Sequence, residues 1–159
     1  MEQNMTEFQF GPYRLLVDVE ATRAYYDAHP QPWVTCDCAG CRNFVKAVKL
    51  LPQAVKEFFS ALGLDPEKPG EIMYFEEAGD GRVCATAGWY HLCGSIEAGG
   101  PWEEGRPPEA WVPVTDDVSV SFSRKCDLLP GDFPERPLQM DMDCHLPWVL
   151  EEPNPYIFE

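Results

Sequence analysis

The sequence predicts an α+β domain in which N-terminal helices pack on one face of an antiparallel β-sheet formed mainly by residues 71–150. Three observations carry this expectation. Phe44, Val48, Leu51, Val55, Phe58 and Leu62 recur at the three- and four-residue spacings of a single helix face. From Glu71 the period changes to two. Val118, Val120 and Phe122 alternate with serines, and Leu138, Met140 and Met142 alternate with Gln139, Asp141 and Asp143. Helices first and strands afterwards is the order of an α+β chain. At 159 residues the chain has the size of a single domain spanning residues 1–159, and 45% apolar with 13% aromatic residues can fill a core.

The elements follow in order. Tyr13 to Val19 reads as a short strand. Asp18 can cap a helix from about Val19 to Ala28, with Val19, Thr22 and Tyr26 on one face. His29-Pro30-Gln31-Pro32 ends it, because closely spaced prolines cannot continue a helix. Pro52 interrupts the apolar seam, which predicts a kink or two short helices with Pro52 at the start of the second. Gly63 suits the left-handed position after the helix. Ile72 to Glu77 and Arg82 to Ile96 flank Ala78-Gly79-Asp80-Gly81, the pattern of a hairpin. Ten of the 16 prolines lie at or after Pro101, in segments that also carry Trp102, Trp111, Phe133 and Trp148. They read as extended loops packing their aromatics over the sheet, or as a recognition surface offering Trp102 and Trp111.

Charge narrows the function. Twelve Lys and Arg face 27 Asp and Glu, a net of −15, which excludes a general binder of the nucleic-acid backbone. The N-terminal residues lack the basic start and apolar run of a secretory signal, and Val83 to Ile96 is too short and too polar to cross a bilayer. The expectation is a cytoplasmic protein with no membrane contact. Arg42, Lys46, Lys49 and Lys56 form a basic stripe displaced by about 200° of helix rotation from the apolar seam. The stripe is either a solvated face or a surface for a protein partner. Overall acidity also fits a DNA-mimic inhibitor seated in a basic cleft, with outward Asp141 and Asp143 as its first candidates.

Cys36-Asp37-Cys38-Ala39-Gly40-Cys41 is the most unusual local feature of a chain with seven cysteines. It precedes the long helical region, where Asp37 can act as the cap. Three sulfurs within six residues can converge on one zinc ion, with a fourth ligand from His29, or from His91, Cys93 or Cys84 on the hairpin. Unligated thiols are the plain alternative. Cys38 and Cys41 also form a Cys-x-x-Cys pair at a helix start, the arrangement of a thiol redox protein, although the alternating strands and helices of a thioredoxin-like domain are absent from the pattern. No catalytic constellation stands out.

Tyr25-Tyr26, Cys36-Asp-Cys-Ala-Gly-Cys-Arg-Asn-Phe44, Leu62-Gly-Leu-Asp-Pro66, Lys68-Pro69-Gly-Glu71 and Leu146-Pro-Trp-Val-Leu-Glu-Glu-Pro153 resemble a family of small uncharacterised bacterial proteins with no established activity. The resemblance runs from about Tyr13 to Pro153. It implies a bacterial cytoplasmic setting and carries over no catalytic or binding residues. The functional expectation is therefore a small acidic binding or accessory protein, with zinc at the Cys36, Cys38 and Cys41 cluster as its one candidate cofactor.

Overall fold

In the computed structural model, which describes residues 5–29, 37–75, 83–99 and 108–155, the chain opens on a hairpin of β1 (Thr6–Phe10) and β2 (Tyr13–Val17). Three helices follow: α1 (Val19–Asp27), α2 (Ala39–Ala47) and α3 (Gln53–Leu62). Five more strands follow among the described residues: β3 (Glu71–Tyr74), β4 (Val83–Ala98), β5 (Val112–Thr115), β6 (Val118–Ser123) and β7 (Pro137–Pro147). All pairings are antiparallel, in the order β1-β2-β4-β7-β6-β5, with β3 also on β4. The chain is thus an α+β domain, as its patterning predicts. Strand β1, which that reading did not single out, adds Phe8 and Phe10 to the margin of the core. Among the described residues no helix is long and apolar enough to cross a membrane.

Strand β4, sixteen residues long, is the spine. One edge pairs with β7 from Val83 to Cys93. The other edge is shared, with β3 taking Thr86–Trp89 and β2 taking Gly94–Ala98. Between them His91 and Cys93 turn main-chain groups toward no strand, and α1 fills the gap. Cys93 N–H donates to Thr22 Oγ1 (3.0 Å), His91 N–H donates to the Tyr26 hydroxyl (3.2 Å), and that hydroxyl donates to His91 C=O (2.5 Å). Asp18 N–H closes the series on Cys93 C=O (2.8 Å). The match is geometric: four helical residues rise about 6.0 Å and two strand residues about 6.7 Å, so side chains at i and i+4 meet alternate strand residues. Asp18 starts α1 by accepting from Ala21 N–H (3.0 Å), the cap expected from the sequence.

The apolar side of the sheet holds Tyr90, Leu92, Phe122, Leu138, Met140 and Met142, all buried. Phe59 of α3 meets Tyr90 edge-on at 4.9 Å between ring centres. Of the predicted helical seam, Phe44, Val48, Leu51, Val55 and Leu62 are buried, but Phe59 replaces Phe58. Either phenylalanine fits the spacing after Val55. The choice is made by the chain break: α2 passes into one 3₁₀ turn at Val48–Leu50, Leu51 turns to an extended ψ of 145°, and Pro52 caps α3 and resets its phase. Phe58 instead stacks on Phe10 at 4.8 Å. Gly63 ends α3 at a φ of 83°, where an added Cβ would also lie 2.6 Å from Val19 C=O.

Candidate functional site

The cysteine motif builds the start of α2. Cys38, not Asp37, is the cap: its sulfur accepts from Cys41 N–H at 3.4 Å, and the side chain of the exposed Asp37 instead lies 3.7 Å from the Arg42 guanidinium. Cys38 is exposed and Cys41 buried, while Cys36 lies outside the described residues. The other nominated zinc ligands have separate engagements. His29 Nδ1 meets Tyr25 C=O (2.7 Å), and its Nε2 pairs with Asp132 (3.0 Å). Both contacts raise the His29 pKa, the backbone contact more. The Cys93 thiol is buried and bonded to Thr22, and its pKa is raised by that burial. Among the described residues no three His, Cys, Asp or Glu side chains are grouped to hold a metal ion.

The Cys-Arg-Asn-Phe segment and the stretch after β7 meet around Asn43. This side chain is fully buried, donates from Nδ2 to the Tyr74 hydroxyl (3.0 Å) and to Pro147 C=O (3.0 Å), and accepts on Oδ1 from Val149 N–H (2.7 Å). Next to it the Arg42 guanidinium grips both carboxylate oxygens of Glu152, and the Trp148 indole N–H donates to Glu152 C=O (2.9 Å). The Cys-Arg-Asn-Phe and Leu-Pro-Trp-Val segments therefore form one clasp holding the chain after β7 against α2. Arg42 is consumed there, and Lys49 pairs with Glu67 at 3.6 Å. All four residues of the predicted basic stripe, Arg42, Lys46, Lys49 and Lys56, are exposed, as its displacement from the apolar seam predicts. Trp111 is half-buried beside β5, and Trp102 lies outside the described residues.

Strand alternation places Trp89, His91, Ser119, Ser121, Gln139 and Asp141 on the opposite side of the sheet from Tyr90, Phe122 and Met140. Trp89, Asp141 and Ser121 form one cross-strand row, and His91, Gln139 and Ser123 the next. Gln139 is the hub of the buried half. Its Oε1 accepts from Asp127 N–H (2.6 Å) and its Nε2 donates to Asp141 (2.7 Å) and Asp127 (3.0 Å), which fixes the amide orientation. His91 Nε2, 3.3 Å from that Oε1, must then carry the proton, leaving Nδ1 as an acceptor. His91 Nδ1, Trp89 Nε1 and Ser121 Oγ have no hydrogen-bond partner among the described residues.

Burial lowers the His91 pKa, and the hydrogen bonds to Gln139 and the Asp127 backbone only partly offset it. A base held neutral in the fold takes up its proton on unfolding. Stability should therefore fall as pH drops below about 6.5, the unfolded value, until the depressed folded pKa is passed. His91→Gln should flatten that part of the stability profile, and the His91 ring should show no NMR titration step at or above its ordinary value. A step there would contradict its burial as the neutral form.

The other half of this face is open. Met73 and Phe75, on the same side as Ala85 and Ala87 by register, are 39% and 50% exposed. Beside them lies a depression of about 370 Å³ lined by Phe75, Ala85, Asp116, Asp117, Asp143 and His145, with no Lys or Arg among its described lining residues. The turn between β5 and β6 supplies Asp116 and Asp117, and His145 N–H is fixed on Asp117 C=O (3.0 Å). Asp143 stands across from Ser119 on the row beyond Asp141. Behind this floor the Cys144 thiol pKa is pushed up to about 12 by burial, helped by the negative charges of Asp143 and Asp117. The arrangement can bind apolar and cationic groups together.

Asp141 and Asp143 were legible from alternation. Phe75 and Met73 carried a signal too, since a strand reading Ile-Met-Tyr-Phe is apolar on both sides and one side must find another cover. Nothing local announces that Asp116 and Asp117 complete the depression. No family model, no curated protein and no solved structure matches this chain.

Proposed function

We propose that the protein is a small acidic binding or accessory protein of the bacterial cytoplasm, and that it docks a partner protein on the open half of the sheet face bearing Met73, Phe75, Asp117 and Asp143. In this reading α2 and α3 cover the apolar face and leave the second face for recognition. The observation that carries it is the pair of exposed apolar side chains beside a depression with three carboxylates. Interfaces draw their energy from partly exposed aromatic anchors of this kind, set within polar rims. An inhibitor occupying a basic cleft is a special case of the same docking.

The cysteine cluster is structural in this account. Cys38 caps α2 and Cys41 enters its buried side, with no redox couple required. A zinc ion on Cys36, Cys38 and Cys41 would need a fourth ligand, and His29, His91 and Cys93 are held by Asp132, Gln139 and Thr22. The test is affinity capture by the full chain and by Phe75→Ser. A partner recovered at stoichiometric yield by the wild type should fall at least tenfold with the variant, a loss of about 1.4 kcal/mol or more. Equal recovery by both, or none by the wild type, overturns the reading.

A further inference from the structure

We infer that residues 129–135, on the connection from β6 to β7, form a strap over His91 that two histidines hold closed near neutral pH and release on either side of it. The strap is hinged at both ends on strained backbone. Leu128 and Arg136 flank it at φ of 52° and 59°, a left-handed conformation that residues other than glycine rarely hold. Contacts between the hinges must outweigh that strain. Asp132 accepts from the Tyr25 hydroxyl (2.9 Å) and pairs with His29 Nε2 (3.0 Å), which ties the strap to α1 and the residues just after it. Phe133 lies edge-on to both Tyr25 (4.7 Å) and His91 (5.9 Å), so the strap's aromatic ring rests on the buried imidazole. At its base, Asp127 N–H donates to the same Gln139 oxygen that meets His91 Nε2.

The two histidines act in opposite senses. At His29 the Tyr25 carbonyl, and after it the Asp132 carboxylate, favour the protonated ring, against desolvation and the Lys68 charge. Opening the strap takes Asp132 away. This tie is therefore strongest below about 6.5, the ordinary value, and is lost as pH rises through the raised one. At His91 burial favours the neutral ring, with Gln139 and Asp127 opposing it. Tyr26 from α1 bonds the His91 main chain, and Asp141 from β7 bonds Gln139. Lifting Phe133 lets water reach the ring, so closure weakens as pH falls below about 6.5 toward the depressed value. Burial raises the Tyr25 pKa and the Tyr25 hydroxyl lowers that of Asp132, so neither titrates between these limbs. The strap covers the buried half of the polar face, which makes the inference independent of docking on the open half.

The experiment is amide hydrogen exchange of the ¹⁵N-labelled full chain at about pH 5, 6.5 and 8.5, each rate divided by the intrinsic rate of its residue. The Asp127 and Phe133 amides, which donate to Gln139 (2.6 Å) and to Pro130 C=O (3.1 Å), report the strap. Their protection should peak near pH 6.5. It should fall at least about threefold by pH 5 and about two- to fivefold by pH 8.5, the latter being the span of an exposed ion pair. Because the opening is local, both should exchange at least about tenfold faster than Met140 within β7. Asp132→Asn should abolish the alkaline limb and His91→Gln the acid limb, each leaving the other in place. If His91→Gln folds poorly, the wild-type profile and Asp132→Asn still decide. A profile without a maximum, exchange at Phe133 no faster than at Met140, or either limb surviving its variant overturns the inference.

Discussion

Asn43→Ala should lower the melting temperature by about 6–12 °C. The estimate follows from what the substitution leaves behind. Asn43 is fully buried, and its amide satisfies Pro147 C=O, Val149 N–H and the Tyr74 hydroxyl at once. Alanine cannot replace any of these contacts. Orphaning buried main-chain groups costs about 1–3 kcal/mol each, and relaxation of the chain after β7 toward solvent recovers part of it, leaving roughly 3 kcal/mol. For a domain of this length each kcal/mol moves the midpoint by about 2–4 °C. Arg42→Ala, which removes only the exposed contacts with Glu152 and Asp37, should shift it by no more than about 4 °C, since such pairs contribute roughly 0–1 kcal/mol. Thermal unfolding of the two variants side by side checks the ranking. An Asn43→Ala midpoint within error of wild type would remove the clasp as a stabilising element.

The second large effect belongs to α1. Tyr26→Phe keeps the ring and deletes the hydroxyl that serves both His91 N–H and His91 C=O. Thr22→Val keeps the shape and deletes the acceptor for Cys93 N–H. Tyr26→Phe leaves two main-chain groups of the central strand without partners and should cost about 2–4 kcal/mol, with Thr22→Val at about 1–3 kcal/mol. These groups lie in the stretch of β4 that neither β2 nor β3 covers, so local opening should accompany the loss. Amide exchange at His91 and Cys93 should accelerate in the respective variants by more than the global destabilisation accounts for. Unchanged exchange at both would mean that α1 rests against β4 without holding it.

These two predictions also mark where sequence reading reached its limit. The local grammar was legible. Asp18 caps α1 where a cap was expected, Pro52 divides the helical seam, Gly63 ends it, and alternation picks out the apolar faces of β6 and β7, although the opposite side, read as wet, is buried at Ser121, Ser123 and Gln139. Each of these depends on neighbours within a few residues. The clasp depends on residues about a hundred positions apart, Asn43 with Pro147 and Val149, and no periodicity encodes that meeting. Its two segments stood out only as unusual motifs. Thr22 and Tyr26 were placed on one helix face, but their use as substitutes for a missing strand required the sheet order. At Phe58 and Phe59 both residues satisfied the helical period, and only the bend at Leu51 and Pro52 chose between them.

The candidate site shows the same division. Strand patterning turned Asp141 and Asp143 outward, whereas the depression needs β3, β4, β7 and the β5–β6 turn together. The basic stripe looked self-contained in the sequence. In the fold Arg42 and Lys49 are met by Glu152 and Glu67, acids supplied by other parts of the chain.

The measurement that tests the docking reading most directly is parallel affinity capture with the wild-type chain, Phe75→Ser, and the stripe variant Lys46→Glu/Lys56→Glu, each checked for an unchanged fold by its amide spectrum. The account predicts that the stoichiometric partner is lost with Phe75→Ser and retained with the stripe variant. Loss with the stripe variant and full retention with Phe75→Ser would contradict it and move the docking surface to the helices.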